Sequence, residues 1–162
     1  MKKKTLILII IGIVAATALF VYTRTKEPTV EQIVAEEKEA VAATVVAFGG
    51  QMKNVPLTAE QDVLSASIKK EYEATVAPAL ITRWIQSTSQ APGRATSSPW
   101  PERIEVISME KVRDYYKVSA EIIEMTSAEV ESGTEFSRKP VDITVAWVNE
   151  GWKVVEYYPP VK

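Results

Sequence analysis

Hydrophobic positions divide this chain into three stretches with different spacing. Residues 5–23 form a run without any charged side chain. Beyond residue 28, apolar residues recur every three to four positions, which is the spacing of one face of a helix. From Arg103 onwards apolar and polar residues alternate, which is typical of strands with one buried face. We therefore expect an apolar N-terminal segment, then helices, then a β-sheet.

Three amphipathic helices are predicted in the middle stretch. Their start signals are two capping boxes, Thr29–Gln32 and Thr58–Gln61, and a proline in a first turn, Pro78. Gly49 and Gly50 lie late in the first helix and are expected to end or loosen it. The stripes predicted to be buried are Val30, Ile33, Val34, Val41, Val45, Phe48 and Met52, then Leu64, Ile68 and Tyr72, then Leu80, Ile81, Trp84 and Ile85.

The β half contains four alternating runs joined by short turns. The runs are Arg103–Val112, Tyr115–Thr126, Val141–Val148 and Trp152–Tyr158. The turns are predicted at Arg113 and Asp114, at Ser132 and Gly133, and at Asn149 to Gly151. Three consecutive hairpins make a four-stranded antiparallel meander, so the predicted class is α+β. Strands do not alternate with helices, which argues against a parallel nucleotide-binding sheet.

Alternation also predicts which face of each strand is buried. The most apolar face is assigned to the core, and it comprises Tyr116, Val118, Ala120, Ile122, Val141, Ile143, Val145, Trp147, Trp152, Val154, Glu156 and Tyr158, with Glu124 next in line. The opposite face is half apolar, more than a solvated sheet needs. We interpret it as a dimer or protein-partner surface formed by Tyr115, Ile123, Met125, Val148, Val155 and Tyr157. The alternative is that these side chains are covered by the chain termini or exposed singly.

Composition removes several classes of chemistry. The chain has no cysteine, which excludes disulfides and thiol nucleophiles, and no histidine, which excludes a Ser-His-Asp triad and histidine-rich metal centres. We predict no metal and no cofactor. Five of the 19 basic residues lie in residues 1–26, so residues 27–162 carry 14 basic and 21 acidic side chains, a net charge of −7. This acidity argues against a nucleic-acid partner.

The apolar run near the N-terminus is long enough to cross a bilayer. The 19 residues from 5 to 23 would span about 28 Å as a helix. Lys2, Lys3 and Lys4 precede the run and predict a cytoplasmic N-terminus. We expect residues 1–26 to be a signal anchor in the cell membrane and residues 27–162 to be an extracytoplasmic domain. The alternative is a signal peptide cleaved near Ala18, which would give a secreted protein.

The order of elements resembles a known superfamily. Helices followed by a meander that ends in NEGWKVVEYY (residues 149–158) are similar to the ketosteroid-isomerase-like, or nuclear-transport-factor-two-like, cone fold. The string APGRATSSPWPERIEV (residues 91–106) also resembles an uncharacterised family of bacterial membrane-anchored proteins. The resemblance implies a curved sheet around a long N-terminal helix. Enzymes of that class bind substrate inside the cone with a carboxylate base, which makes Glu124 and Glu156 candidates; the alternative is that both are simply hydrated at strand ends.

A proline-rich stretch, Ser89 to Val106, connects the helical half and the β half of the domain. Pro99 and Pro101 hold the backbone extended on both sides of Trp100. The indole could stack on a ligand while Arg94 binds an anion beside it. The favoured interpretation is that Trp100 fills the core where the helices meet the sheet.

The resemblance implies a role at the bacterial cell envelope, because several secretion and conjugation assembly proteins combine one N-terminal span with this fold. We expect a non-catalytic, membrane-anchored domain that binds a protein partner or itself. The alternative is a small-ligand-binding or isomerase- or dehydratase-like protein that uses the cone interior.

Overall fold

Three helices precede a β-sheet in the computed structural model, which describes residues 29–159, and a short fourth helix lies between the second and third strands. The helices are α1 (Val30–Gln51), α2 (Gln61–Tyr72), α3 (Pro78–Gln86) and the short α4 (Ser127–Ser132), with 3₁₀ turns at Met52–Asn54 and Thr88–Gln90. The strands are β1 (Trp100–Val112), β2 (Tyr115–Met125), β3 (Ser137–Val148) and β4 (Gly151–Tyr158). They form one antiparallel sheet in the order β1-β2-β3-β4, which confirms the predicted α+β class and meander.

The described residues divide into two units, with the boundary between Glu36 and Glu37. The described part of the first unit is the start of α1, where Thr29 and Gln32 exchange hydrogen bonds between side chain and backbone; the first capping box is thus confirmed. The predicted anchor, residues 1–26, lies outside the described residues. Among residues 29–159, no helix is both long enough and apolar enough to span a membrane.

Helix α1 packs tightly on the sheet through Gly49. A Cβ atom at this position would lie 2.6 Å from both the Cβ and the backbone nitrogen of Ile104 in β1. The expectation that Gly49 and Gly50 end or loosen the helix is confirmed to within one residue, because α1 ends at Gln51 and a 3₁₀ turn follows it. The second predicted capping box is wrong: α2 begins at Gln61 with no side-chain cap. The proline start is confirmed, since Pro78 is the first residue of α3.

The space between the helices and the sheet is filled by an aromatic cluster. The ring of Phe48 from α1 lies 5.3 Å from that of Tyr72 and 6.2 Å from that of Trp84. Tyr157 of β4 closes the cluster, 5.9 Å from Phe48 and 6.1 Å from Trp84. Burial of such large side chains is worth about 2–3 kcal/mol each, so this cluster is a main source of the domain's stability.

A bulge in β4 reverses the predicted alternation at its end. Val154 pairs with Val145, but Glu156 pairs with Thr144, so Val155 is an extra residue between them. Tyr157 consequently faces the core beside Ile143, whereas Glu156 and Tyr158 lie on the opposite face. The assignment of Glu156 and Tyr158 to the core, and of Tyr157 to the partner surface, is wrong.

In α1, Val30 and Ile33 were predicted to be buried and are exposed. Three further side chains of the sheet differ from the prediction. Trp147 keeps its predicted side of the sheet but lies at the end of the strand, 59% exposed. Ile123 and Met125, predicted to be exposed on the partner face, are buried, although they lie outside the main core. Apart from these and the end of β4, the predicted core face of β2 and β3 is confirmed: Tyr116, Val118, Ala120, Ile122, Val141, Ile143 and Val145 are all buried.

The proline-rich stretch is held in place mainly by backbone contacts. The Tyr72 hydroxyl donates to the carbonyl of Pro92 over 2.8 Å. The backbone of Arg94 bonds to Val55 and Leu57 on both sides, while its side chain is exposed. Trp100 is half-buried outside the core, and its Nε1 donates to Glu102 over 2.7 Å. The interpretation of Trp100 as a core residue is wrong. Hydrogen bonds with Tyr72, Val55 and Leu57 hold the stretch in place.

Candidate functional site

The face of the sheet turned away from the aromatic cluster, hereafter the outer face, is built from rows of paired residues. Strand register brings one residue from each strand into line, because paired residues on adjacent strands share a face. Towards the ends of β1 and β2 that meet their connecting turn, the rows are Ser108-Ser119-Asp142-Tyr158, Glu110-Lys117-Thr144-Glu156 and Val112-Tyr115-Ala146-Lys153. Towards the opposite end they are Glu105-Glu121-Pro140 and Arg103-Ile123-Arg138. The outer face thus has two halves with different chemistry.

In the half around Ile123, which we call the paired half, carboxylates and guanidinium groups neutralise one another. Glu135 reaches Arg103 of β1 at 2.5 Å and Arg138 of β3 at 2.7 Å, and so bridges the two strands that flank Ile123. Arg138 also binds Glu105 and Glu121 at 3.0 and 2.9 Å. These ion pairs lie across the row that contains Ile123, which is fully buried. The hydrogen bonds that Arg138 donates to Glu121 and to Glu135 raise the pKa of its guanidinium, which stays charged at any physiological pH.

The other half, the open half, forms a groove of about 920 Å³ that crosses all four strands. Its walls carry four carboxylates and one lysine, namely Glu110, Asp114, Asp142, Glu156 and Lys117. Two tyrosines, Tyr115 and Tyr158, add aromatic surface. Asp142 accepts a hydrogen bond from Ser119 over 2.9 Å, and Glu156 accepts one from the Tyr158 hydroxyl, which raises the pKa of that phenol. Within residues 29–159, none of the four carboxylates forms an ion pair.

The predicted partner surface is only partly accessible. Tyr115 and Val155 line the groove of the open half, and Val148 is half-buried at the end of β3. The other three members point elsewhere or are covered, namely Ile123, Met125 and Tyr157. The accessible part of the face is accordingly more polar than its sequence pattern suggests.

A second concavity lies beneath the proline-rich stretch, at the edge of the aromatic cluster. It has a volume of about 660 Å³, and its lining is mostly apolar, with Met52, Leu57 and Tyr157 among its walls. Burial raises the pKa of the Tyr157 phenol, so this hydroxyl is neutral at physiological pH. Neither Trp100 nor Arg94 lines this cavity, although Pro99 and Ala95 from the same stretch do.

Glu124 lies at the rim of this cavity as half of an ion pair. It is on the predicted core side of β2 and its side chain is 13% exposed. Lys139 approaches it at 2.6 Å, and the Ser137 hydroxyl donates to its second oxygen over 2.6 Å. Both carboxylate oxygens are thus occupied by donors from β3, which suits a structural anion better than a proton acceptor. Glu156, the other candidate base, is on the outer face and cannot act with it.

A cluster of polar and aromatic side chains at the end of the sheet connects α1 to the β1–β2 hairpin. Lys111 and the Tyr116 hydroxyl both bond to Glu37, and hydrogen bonding from Lys111 and then Tyr116 lowers the pKa of that carboxyl. Beside them the rings of Trp147 and Trp152 meet edge to face at 5.5 Å. Sequence reasoning did not anticipate this cluster, because Glu37 is more than 70 positions from both Lys111 and Tyr116 in the chain.

Sequence reasoning also missed the acidic lining of the groove. Strand alternation alone places Glu110, Lys117 and Asp142 on the outer face, so the signal was present. Alternation does not predict the strand register that aligns these three residues, or the bulge in β4 that places Glu156 on the same face. Across residues 29–159, acidic side chains do not converge closely enough to hold a metal ion.

Comparison of the chain with protein-family models, with curated proteins and with solved structures gives no match.

Proposed function

We propose that this protein is a non-catalytic binding domain, anchored in the bacterial cell membrane by residues 5–23, that holds a protein partner in the groove of the open half. The groove carries the proposal, because it has a volume of about 920 Å³ and is lined by residues of all four strands. Tyr115 and Tyr158 line it, and tyrosine is one of the residues enriched at protein-contact sites. Under this proposal residues 27–162 lie outside the cytoplasm.

The filled interior supports a binding role over catalysis. The rings of Phe48, Tyr72 and Trp84 pack together between the helices and the sheet. The two candidate bases lie on opposite faces of the sheet, and Glu124 is engaged by Lys139 and Ser137. We also propose membership of the ketosteroid-isomerase-like superfamily, which is supported by the element order and by a long first helix packed on an antiparallel meander.

Site-specific photocrosslinking tests the partner site. Benzoylphenylalanine at Tyr115 in the groove should give a protein adduct in cells that express the full chain, while the same group at Val63, an exposed position on α2, should give none. A homodimer would appear as an adduct of twice the chain's mass. Equal labelling from both positions, or no adduct from Tyr115, would contradict the proposal.

A second candidate function is favoured by the apolar cavity beneath the proline-rich stretch. Its volume of about 660 Å³ falls within the range of about 300–1,000 Å³ typical of small-molecule sites. A fluorescent apolar probe such as anilinonaphthalene sulfonate should bind there, and Ala95→Trp should abolish binding by filling the entrance. Unchanged binding in that variant would rule the cavity out as the site.

A further inference from the structure

The two halves of the outer face differ in how their negative charges are balanced. Glu105, Glu121 and Glu135 in the paired half are each within 3.0 Å of a guanidinium nitrogen. In the open half the four carboxylates have no cationic partner among the described residues, and the single lysine of the groove pairs with none of them. The carboxylates of the paired half are thus neutralised by arginine, whereas those of the open half have no cationic partner among the described residues.

The spacing of these acids indicates an extended ligand and not a single ion. Glu110 and Glu156 stand in the same row on the two edge strands, β1 and β4. Three strand intervals separate them, or about 14 Å. Asp142 is on the next row and the adjacent strand to Glu156, a diagonal separation of about 7–8 Å. A ligand that meets several of these carboxylates at once must therefore carry several cationic groups along its length.

The groove also offers aromatic surface for cations. Tyr158 on β4 and Tyr115 on β2 stand in the first and last of the three rows, and Tyr158 is more than half exposed. Lysine and arginine side chains stack favourably on such rings. A lysine- or arginine-rich segment could therefore use both the charges and the rings, whereas an acidic segment would meet like charges.

We infer that the groove of the open half recognises an extended, basic segment of a partner protein. This inference rests on the proposed function and adds the chemistry of the partner. Complementary charge would guide association and determine which partners are accepted. Ion pairs on such an open surface are weakened by salt, so binding should decrease as ionic strength rises.

Fluorescence anisotropy with defined peptides tests the inference on the full chain in non-ionic detergent. The probes are a labelled peptide of six Lys-Gly repeats and a neutral one of six Ser-Gly repeats. The groove variant is Asp142→Asn with Glu156→Gln, which keeps hydrogen-bond acceptors for Ser119 and Tyr158. The matched control is Glu39→Gln with Glu131→Gln, which removes the same charge from two exposed sites away from the groove.

We expect the Lys-Gly peptide to bind, and the groove variant to bind it about fivefold more weakly, with a change below about twofold in the control. Equal losses in both variants would mean diffuse attraction to an acidic protein and would overturn the inference, as would equal binding of the Ser-Gly peptide. If Tyr115 crosslinks a partner while the two variants bind alike, the proposed function stands and the basic-segment inference falls. If the variants differ as expected but Tyr115 gives no adduct, the preference of the groove for basic segments stands and the proposed function in the cell falls.

Discussion

At the scale of single residues, two adjacent glycines in α1 have opposite surroundings. Gly49 faces β1, where an added Cβ would lie 2.6 Å from the backbone nitrogen of Ile104. An added Cβ on Gly50 would meet nothing within 4 Å. The same substitution at these neighbouring positions should therefore have opposite effects on the free energy of unfolding.

Gly49→Ala should lower the free energy of unfolding by about 2 kcal/mol, because the overlap involves backbone that cannot rotate away. Gly50→Ala should raise it by about 0.5–1 kcal/mol, because alanine favours the helix and restricts the unfolded chain. Urea unfolding of the full chain in non-ionic detergent, followed by tryptophan fluorescence, measures both. Two changes of the same sign would show that α1 does not approach β1 through Gly49.

These glycines also show what a residue pattern does and does not predict. The pair was expected to end or loosen the helix, since glycine lowers helix propensity, and α1 ends one residue beyond it. The close packing of Gly49 against Ile104 was not expected, and the contact spans 55 positions of the chain. A pattern within one segment holds no information about such a distant neighbour.

At the scale of elements, the turn of the last hairpin has an unusual backbone conformation. Asn149 and Glu150 connect β3 to β4 with φ values of 49° and 66°. Two consecutive residues with positive φ are the signature of a type I′ turn, in which asparagine and glycine are favoured. Asn149 suits its position, whereas Glu150 has a Cβ atom that disfavours the left-handed region.

Glu150→Gly should therefore raise the free energy of unfolding, by about 1 kcal/mol. Asn149→Gly is the matched control and should change it by less than about 0.5 kcal/mol, because asparagine tolerates this conformation. Chemical denaturation of both variants gives the comparison. A loss of stability in Glu150→Gly would mean that the side chain contributes more than its backbone costs.

The sequence predicted the strands of this sheet better than their faces. Alternation located β2 and β4 to within a residue or so at each end, and β1 and β3 start three or four residues earlier than expected. The bulge at Val155 arises from the pairing of β4 with β3, and the ion pairs of Glu135 with Arg103 and Arg138 lie across the row of Ile123. Both depend on residues outside the strand concerned. The outer face stays a predicted partner surface, and three of its six predicted members, Ile123, Met125 and Tyr157, are not accessible on it.

At the scale of the whole domain, carboxylates fasten the helices and the sheet to each other. Glu37 in α1 binds Lys111 of β1, and Glu102 of β1 binds Lys53 after α1 at 2.5 Å. The pKa of Glu37 is lowered by these hydrogen bonds. For Glu102, burial favours the neutral acid, but hydrogen bonds from Lys53 and Trp100 outweigh it and lower the pKa. Both carboxyls therefore bind protons less readily in the folded than in the unfolded chain.

This difference fixes the sign of the pH dependence. An acid whose pKa is lowered by folding stabilises the fold above its ordinary pKa, here 4.5, and loses that contribution as the pH falls through the lowered value. Glu37→Gln with Glu102→Gln should cost about 1 kcal/mol at pH 7. This deficit should shrink as the pH falls below 4.5, because the two carboxyls of the unfolded wild-type chain bind protons there, whereas those of the folded chain do so only at lower pH. Glu39→Gln with Glu131→Gln, which alters two exposed acids without ion pairs among the described residues, should show a smaller and pH-independent change. A deficit that stays constant from pH 7 to pH 3 would mean that the helix–sheet contacts at Glu37 and Glu102 depend on packing and not on charge.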